Sequence, residues 1–130
     1  MLSIKPSSTS GRILVVDDDD GIRALLRAVI SGAGHEVDVA SDGAQALDAL
    51  ARIPYDAVIL DLMMPGVNGF EVINHLEKEN PLKRYVIVLS AATPKTIEDL
   101  QSPAICSKLR KPFDIQELFA AIDGCIASRE

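Results

Sequence analysis

One stretch of the chain decides its fold: Tyr55-Asp56-Ala57-Val58-Ile59-Leu60-Asp61-Leu62-Met63-Met64-Pro65-Gly66. Its apolar run, from Ala57 to Leu60, ends abruptly on the carboxylate of Asp61 and is followed by turn residues. Such a run is typical of a strand buried on both faces, as in a parallel sheet. Ligands of open α/β sheets bind beyond the carboxyl ends of the strands, where Asp61 would emerge. Taken alone, an aspartate at a strand end more often caps the next turn, so its role depends on the rest of the chain.

The same arrangement recurs along the sequence. Further apolar segments at residues 12–16, 85–89 and 105–109 are predicted to be strands, and residues 35–40, which alternate between polar and apolar, are predicted to be an edge strand. His35, at the start of that edge strand, is expected to be solvated. Apolar residues at helical spacing follow the first, second, third and fifth strands, and a short, polar fourth helix is predicted to begin near Thr93-Pro94. Five alternations of strand and helix predict a doubly wound α/β domain, with a parallel sheet covered by helices on both faces.

Size and composition limit the function classes. The 130 residues fit one domain, predicted over residues 12–128, and residues 1–11 are predicted to be a disordered tail without an export signal. No apolar stretch approaches the ~18 residues that span a bilayer. The net charge of −6 argues against nucleic acid or a membrane as a direct partner. Cys106 and Cys125 lack a metal-ligand spacing, and we expect two reduced thiols in a cytoplasmic protein.

Polar residues leave the carboxyl ends of four strands. Asp17 and Asp18 follow the first predicted strand, and Asp61 ends the third. Ser90 follows the fourth predicted strand, and Lys111 lies at the end of the fifth. In a parallel sheet these ends meet at one edge, where clustered carboxylates would raise one another's pKa values unless a cation lay among them. A hard divalent ion with oxygen ligands fits such a cluster, and Mg²⁺ is the natural candidate.

This set of groups suits phosphoryl transfer. Mg²⁺ and Lys111 could neutralise phosphoryl oxygens while Ser90 donates a hydrogen bond. A carboxylate oxygen of Asp61 would then be a competent nucleophile and form an aspartyl-phosphate. No glycine-rich phosphate loop follows the first strand, which disfavours a nucleotide-binding protein.

Four motifs, in order along the chain, carry a family resemblance. They are Ile13-Leu14-Val15-Val16-Asp17-Asp18-Asp19 with Gly21-Ile22-Arg23, Leu60-Asp61-Leu62-Met63-Met64-Pro65-Gly66 with Gly69-Phe70, Val86-Ile87-Val88-Leu89-Ser90-Ala91, and Lys111-Pro112-Phe113-Asp114. Together they resemble the receiver domain of two-component response regulators, from about Arg12 to the last helix. The resemblance implies a flavodoxin-like fold with strand order 2-1-3-4-5 and five helices.

The resemblance also implies a role for each site residue. Asp61 would accept a phosphoryl group from a histidine kinase or a histidine phosphotransfer protein. Asp17 and Asp18 would bind Mg²⁺ together with Asp61 and the backbone carbonyl of Met63. Ser90 would be the switch hydroxyl, and Lys111 would pair with phosphoryl oxygens. A cis peptide bond is expected before the proline that follows Lys111.

Such a domain signals rather than acting as an enzyme, since it would catalyse only its own phosphorylation and dephosphorylation. A downstream protein or output domain would bind the face formed by the fourth helix, fifth strand and fifth helix. Lys108 departs from the family, which has an aromatic residue there, and we expect a solvated lysine. The departure keeps open a pseudo-receiver that binds partners without phosphorylation. A metal-dependent phosphatase is disfavoured because Met63 stands where a second aspartate would act as general acid.

Overall fold

The computed structural model describes residues 10–64, 66, 68–91 and 93–128. Strand and helix alternate throughout: β1 (Arg12–Val16), α1 (Asp20–Gly32), β2 (Glu36–Ala40), α2 (Gly43–Arg52), β3 (Ala57–Asp61), α3 (Gly69–Glu79), β4 (Val86–Ser90), α4 (Pro94–Asp99), β5 (Ile105–Arg110) and α5 (Ile115–Ser128). The predicted elements are confirmed, including the short α4. Most of the predicted N-terminal tail, residues 1–9, lies outside the described residues.

The five strands form one parallel sheet in the order β2-β1-β3-β4-β5. This order confirms the doubly wound fold. β3 and β4 are buried at every residue because helices cover both faces of the sheet. On one face, side chains of α2 and α3 pack into an apolar cluster with the strands, and on the other face α1 and α5 form a second cluster.

Side-chain caps fix where the helices begin, and hence where the strand ends turn away from the sheet. The carboxylate of Asp19 accepts the backbone N–H of Ile22 at the start of α1, and Asp42 does the same for α2. Asn68 and Thr93 cap α3 and α4. Each oxygen accepts one of the N–H groups that a helix cannot pair internally.

A bulge in β5 changes the direction of its side chains. Ile105 pairs with Val86 and Ser107 with Ile87, so Cys106 is an extra residue in the ladder. Side chains alternate along a regular strand, so Ile105 and Leu109 would otherwise share a face. Instead Ile105 packs in the cluster beside α2 and α3, whereas Leu109 packs in the cluster beside α1 and α5.

Cys106 and Cys125 form a disulfide that joins the bulge of β5 to α5, with their Cα atoms 5.9 Å apart. The expectation of two reduced thiols is therefore wrong. Spacing along the sequence could not reveal the pair because its proximity depends on how α5 crosses β5 and on the bulge.

His35, which precedes β2, was expected to be solvated, and this prediction is wrong. Its side chain is buried, with 6% of its surface exposed, and its Nδ1 accepts the backbone N–H of Gly11 at 3.1 Å. Burial lowers the pKa of His35, and the charge of Asp123 opposes that shift. Apolar surroundings disfavour the imidazolium, so the neutral ring that accepts from Gly11 is the stable form.

Within the described residues, no helix is long and apolar enough to span a membrane.

Candidate functional site

The site lies at the carboxyl edge of the sheet. Asp17 follows the last residue of β1, Asp61 is the last residue of β3, and Lys111 follows β5. The ammonium of Lys111 donates to Oδ2 of Asp17 at 2.8 Å and lies 3.6 Å from Oδ2 of Asp61. The structure therefore brings together three of the predicted side chains from positions as far as 94 residues apart.

The Asp61 carboxylate is buried, with 5% of the residue exposed. Burial raises the pKa of Asp61, and the charges of Asp17 and Asp18 act in the same direction. The backbone N–H of Met63, which donates to Oδ1 of Asp61 at 3.2 Å, and the ammonium of Lys111 oppose that rise in pKa. Asp61 is thus a carboxylate held at a strand end with one oxygen beside a cation.

Lys111 is the only basic side chain that the described residues place in an ion pair with Asp17 or Asp61. Burial alone would lower the pKa of its ammonium, but the hydrogen bond to Asp17 and the charge of Asp61 outweigh burial and raise that pKa. The ammonium therefore stays protonated at the site. The peptide bond between Lys111 and Pro112 is cis, as the sequence predicted.

Asp17, Asp18 and Asp61 form a candidate metal centre. Each offers a carboxylate oxygen, and these three oxygens lie within 4.8 Å of one another. Asp17 is buried and Asp18 is exposed, so the cluster opens to solvent on one side. Three carboxylates carry a charge of −3 and Lys111 contributes +1, which leaves −2. An all-oxygen donor set with this charge fits Mg²⁺, a hard cation that retains several waters.

Ser90 is the last residue of β4 and is fully buried. In the β3–β4 ladder, Asp61 pairs with Leu89, so Ser90 lies one residue beyond Asp61 on the neighbouring strand. Its backbone carbonyl accepts the N–H of Lys111 at 2.9 Å. Ser90 therefore ends at the same edge as the acidic cluster, as the strand pattern predicted.

Two residues support the site in ways that the sequence motifs did not explain. The guanidinium of Arg23, on α1, donates to the backbone carbonyl of Asp17 at 2.7 Å. Gly69, which begins α3, lies so close to β3 that a Cβ atom there would be 2.7 Å from the carbonyl oxygen of Asp61. Both belong to quoted motifs, so the signal was present, but only the folded chain reveals what they touch.

Lys108 is not the solvated lysine that the sequence suggested. Its ammonium donates to the backbone carbonyl of Leu100, the C-cap of α4, at 2.5 Å. This carbonyl belongs to the end of a helix, where a cation is favourable. Because of the bulge at Cys106, Lys108 extends toward α4 rather than toward α5. It fixes the end of α4 to β5.

Several solved structures resemble this fold. The receiver domain of Francisella response regulator 1452 is 29% identical and covers 92% of this chain and 99% of its own, with a TM-score of 0.84. The response regulator TrrA from Thermotoga maritima, solved in complex with Mg(2+)-BeF, is 37% identical and covers 88% of this chain and 97% of its own, with a TM-score of 0.79.

Curated relatives are similar over most of the chain. The transcriptional regulatory protein TcrA of Mycobacterium tuberculosis is 41% identical over 113 residues, which are 85% of this chain and 44% of TcrA. The DNA-binding response regulator MtrA of Mycolicibacterium smegmatis is 37% identical over 119 residues, 92% of this chain and 52% of MtrA. The chain thus spans about half the length of these relatives.

The model of one protein family, the response regulator receiver domain, matches residues 13–123. The matched region runs from β1 into α5 and contains every residue of the acidic cluster together with Ser90 and Lys111. The chain belongs to the response regulator receiver domain family, a family of signalling domains of two-component systems.

Proposed function

We propose that this domain is a phosphorylation-activated receiver in which Asp61 accepts a phosphoryl group in a Mg²⁺-dependent reaction. The observation that carries the proposal is the placement of the Lys111 ammonium beside both Asp17 and Asp61 within the carboxylate cluster. A cation next to the acceptor oxygen compensates the charge that a phosphoryl group brings. Asp17, Asp18, Asp61 and the Met63 carbonyl would hold the metal.

The chain's residues divide the chemistry among them. An Asp61 oxygen attacks phosphorus, a P–O bond forms, and the P–N bond of the donor phosphohistidine breaks, its electron pair staying with the imidazole. Bound Mg²⁺ would supply further neutralisation of the phosphoryl oxygens. Lys111 binds one of those oxygens, and the Ser90 hydroxyl donates to another after its loop moves. The new charge thereby shifts an equilibrium between two conformations.

The partners follow from this chemistry. A histidine kinase or a histidine phosphotransfer protein would supply the phosphoryl group, and a downstream protein or output domain would read the change through the face formed by α4, β5 and α5. The relatives TcrA and MtrA are named as transcriptional or DNA-binding regulators, which supports a regulatory output. We propose a cytoplasmic location, since such kinases present phosphohistidine there.

Intact mass spectrometry tests the proposal directly. The protein is incubated with a small acyl phosphate, with and without Mg²⁺, and one phosphoryl adduct is expected only with the metal. Asp61→Asn should abolish the adduct. Asp48→Asn is the matched control, because Asp48 is an exposed aspartate of α2 that pairs with Arg52 on its own helix. An adduct that persists in Asp61→Asn would refute the assignment of the acceptor.

One observation favours a second candidate, a pseudo-receiver that binds partners without phosphorylation. The hydrogen bond from Lys108 to Leu100 restrains the end of α4, an element that the first proposal requires to respond. The two candidates differ in their spectra. Addition of a beryllofluoride mimic to the Mg²⁺-loaded protein should shift amide resonances of Ser90 and α4 in a receiver and leave them unchanged in a pseudo-receiver.

A further inference from the structure

The Cys106–Cys125 disulfide has a solvent-accessible side. Cys106 is partly exposed, whereas Cys125 is buried in the apolar cluster beside α5, with 2% of its surface exposed. Both line a groove of about 970 Å³ between the α3–β4 loop, β5 and α5. A thiol that enters this groove therefore meets the sulfur of Cys106 before that of Cys125.

The groove suits an anionic thiol. Arg84 contributes to its wall on the side of the α3–β4 loop, and the small residues Ala120, Ala121 and Gly124 form the wall on α5. The small α5 side chains leave room beside the disulfide, and a Cβ added at Gly124 would meet nothing within 4 Å. Cationic groups favour the approach of a thiolate, which is the attacking form in thiol–disulfide exchange.

The disulfide also holds the bulge that directs the rest of β5. Among the described strands β5 lies at an edge of the sheet beside β4, and Cys106 has no Cα partner in the β4–β5 ladder. Two lysines follow the bulge: Lys108 reaches the end of α4, and Lys111 reaches the acidic cluster. The bond to α5 therefore restrains the one irregular point of a strand whose far end reaches the site.

We propose that Cys106 and Cys125 form a reversible redox site, reduced by a dithiol through Cys106, and that reduction loosens β5 between the bulge and Lys111. The thiolate of the dithiol attacks Sγ of Cys106, the S–S bond breaks, and its electron pair leaves on Sγ of Cys125, which takes up a proton. The second thiol of the reductant then attacks the mixed disulfide and releases Cys106. Two electrons and two protons pass to the protein, and the dithiol becomes a disulfide.

The fold tolerates both states. A free cysteine behaves as a small apolar residue, so Cys125 can remain in its cluster after reduction. The bulge residue has no Cα partner in the ladder, so reduction leaves the paired residues of β4 and β5 in place. What is lost is the covalent restraint on β5, and the structure therefore predicts a change of local order rather than unfolding.

Hydrogen exchange with mass spectrometry tests the proposal without any phosphoryl chemistry, so its failure is separable from that of the proposed function. We expect dithiothreitol to convert the native protein from no free thiols to two, and to speed amide exchange in residues 105–111 about tenfold. A peptide from β2, at the opposite edge of the sheet, serves as the internal control and should not change. The paired variant Cys106→Ser with Cys125→Ser should exchange fast with or without reductant.

The direction of attack has its own readout. Brief reaction of the oxidised protein with glutathione, followed by acid quenching and peptide mapping, should place the mixed disulfide on Cys106. An adduct mainly on Cys125 would overturn the proposed direction. A purified protein that holds two thiols and forms no disulfide with an oxidant, a disulfide that resists dithiothreitol until the protein unfolds, or unchanged exchange in residues 105–111 after reduction would overturn the redox site itself.

Discussion

Gly69→Ala tests how tightly α3 is packed against the strand that carries Asp61. An added Cβ at position 69 would lie 2.6 Å from Cα of Leu62 and 2.7 Å from the carbonyl oxygen of Asp61. Both are backbone atoms, so the helix and the strand must separate. Forcing an extra carbon into a packed interior costs about 1–3 kcal/mol, and because both contacts are with backbone we expect the upper end, about 2–3 kcal/mol. Alanine's better helix propensity returns at most about 1 kcal/mol at the first helical residue, which leaves a net loss of at least about 1 kcal/mol.

The matched control is the same substitution at Gly124, inside α5. No atom lies within 4 Å of a Cβ built there, so only the helix propensity changes. Gly124→Ala should therefore raise the free energy of unfolding by about 0.5–1 kcal/mol. Urea unfolding of the two variants and the wild type, fitted with a common slope, gives both differences.

The opposite signs make the experiment decisive. If Gly69→Ala is as stable as the wild type, α3 and β3 are not packed as closely as the structure shows, and the predicted clash is refuted. We also expect the rate of Asp61 phosphorylation to fall in Gly69→Ala and to stay unchanged in Gly124→Ala, since only the former displaces the Asp61 backbone.

Three further predictions concern other parts of the molecule. Asp38→Ala should cost about 1–3 kcal/mol of unfolding free energy, because the hydroxyl of buried Tyr55, which donates to Asp38 at 2.6 Å, would lose its partner. In a double-mutant cycle, the loss of unfolding free energy caused by Asp38→Ala should be smaller in a Tyr55→Phe background. An equal loss in both backgrounds would contradict the role of the Tyr55 hydroxyl. Burial lowers the pKa of His35 in the folded state, so the unfolded chain binds more protons below about pH 6.5. The His35 contribution to stability is therefore complete above that pH and is lost as pH falls through the lowered pKa. When the free energy of unfolding is measured between about pH 7.5 and 5, its dependence on pH should be weaker in His35→Gln than in the wild type. An equal dependence in both proteins would refute this prediction. The exposed side chain of Met63 cannot orient an attacking water, so the phosphoryl group on Asp61 should last for hours, and Met63→Gln should shorten that lifetime about fivefold through one hydrogen bond. Timed mass spectra measure this, and a wild-type lifetime of seconds would disprove it.

Much of the fold was predictable because buried parallel strands have a recognisable sequence pattern. The β3 and β4 segments are buried on both faces and read as continuous apolar runs, and their ends carry Asp61 and Ser90. Parallel strands meet at one edge by geometry, so the proximity of Lys111 to Asp17 required no knowledge of contacts. Residue roles at that edge stay predictions until phosphorylation is measured.

What the sequence could not supply depends on contacts between distant segments. Buried His35 accepts a hydrogen bond from Gly11, earlier in the chain, and feels the charge of Asp123 on α5. The orientation of Lys108 toward α4 depends on the extra residue at Cys106, and no local pattern in the sequence of β5 predicted that bulge. Both errors arose from treating a polar side chain as solvated by default.

The bulge sets the phase of the side chains along the second half of β5. Ser107, Lys108 and Leu109 lie opposite Ile87, Val88 and Leu89 because Cys106 is left out of the ladder. If Cys106 were paired instead, each later residue would shift by one position and turn to the opposite face of the sheet. Leu109 would then leave its apolar cluster and Lys108 would lose the carbonyl of Leu100. For protein engineering, position 106 is therefore a spacer: deleting it would keep the later pairs in register, whereas pairing it would displace them.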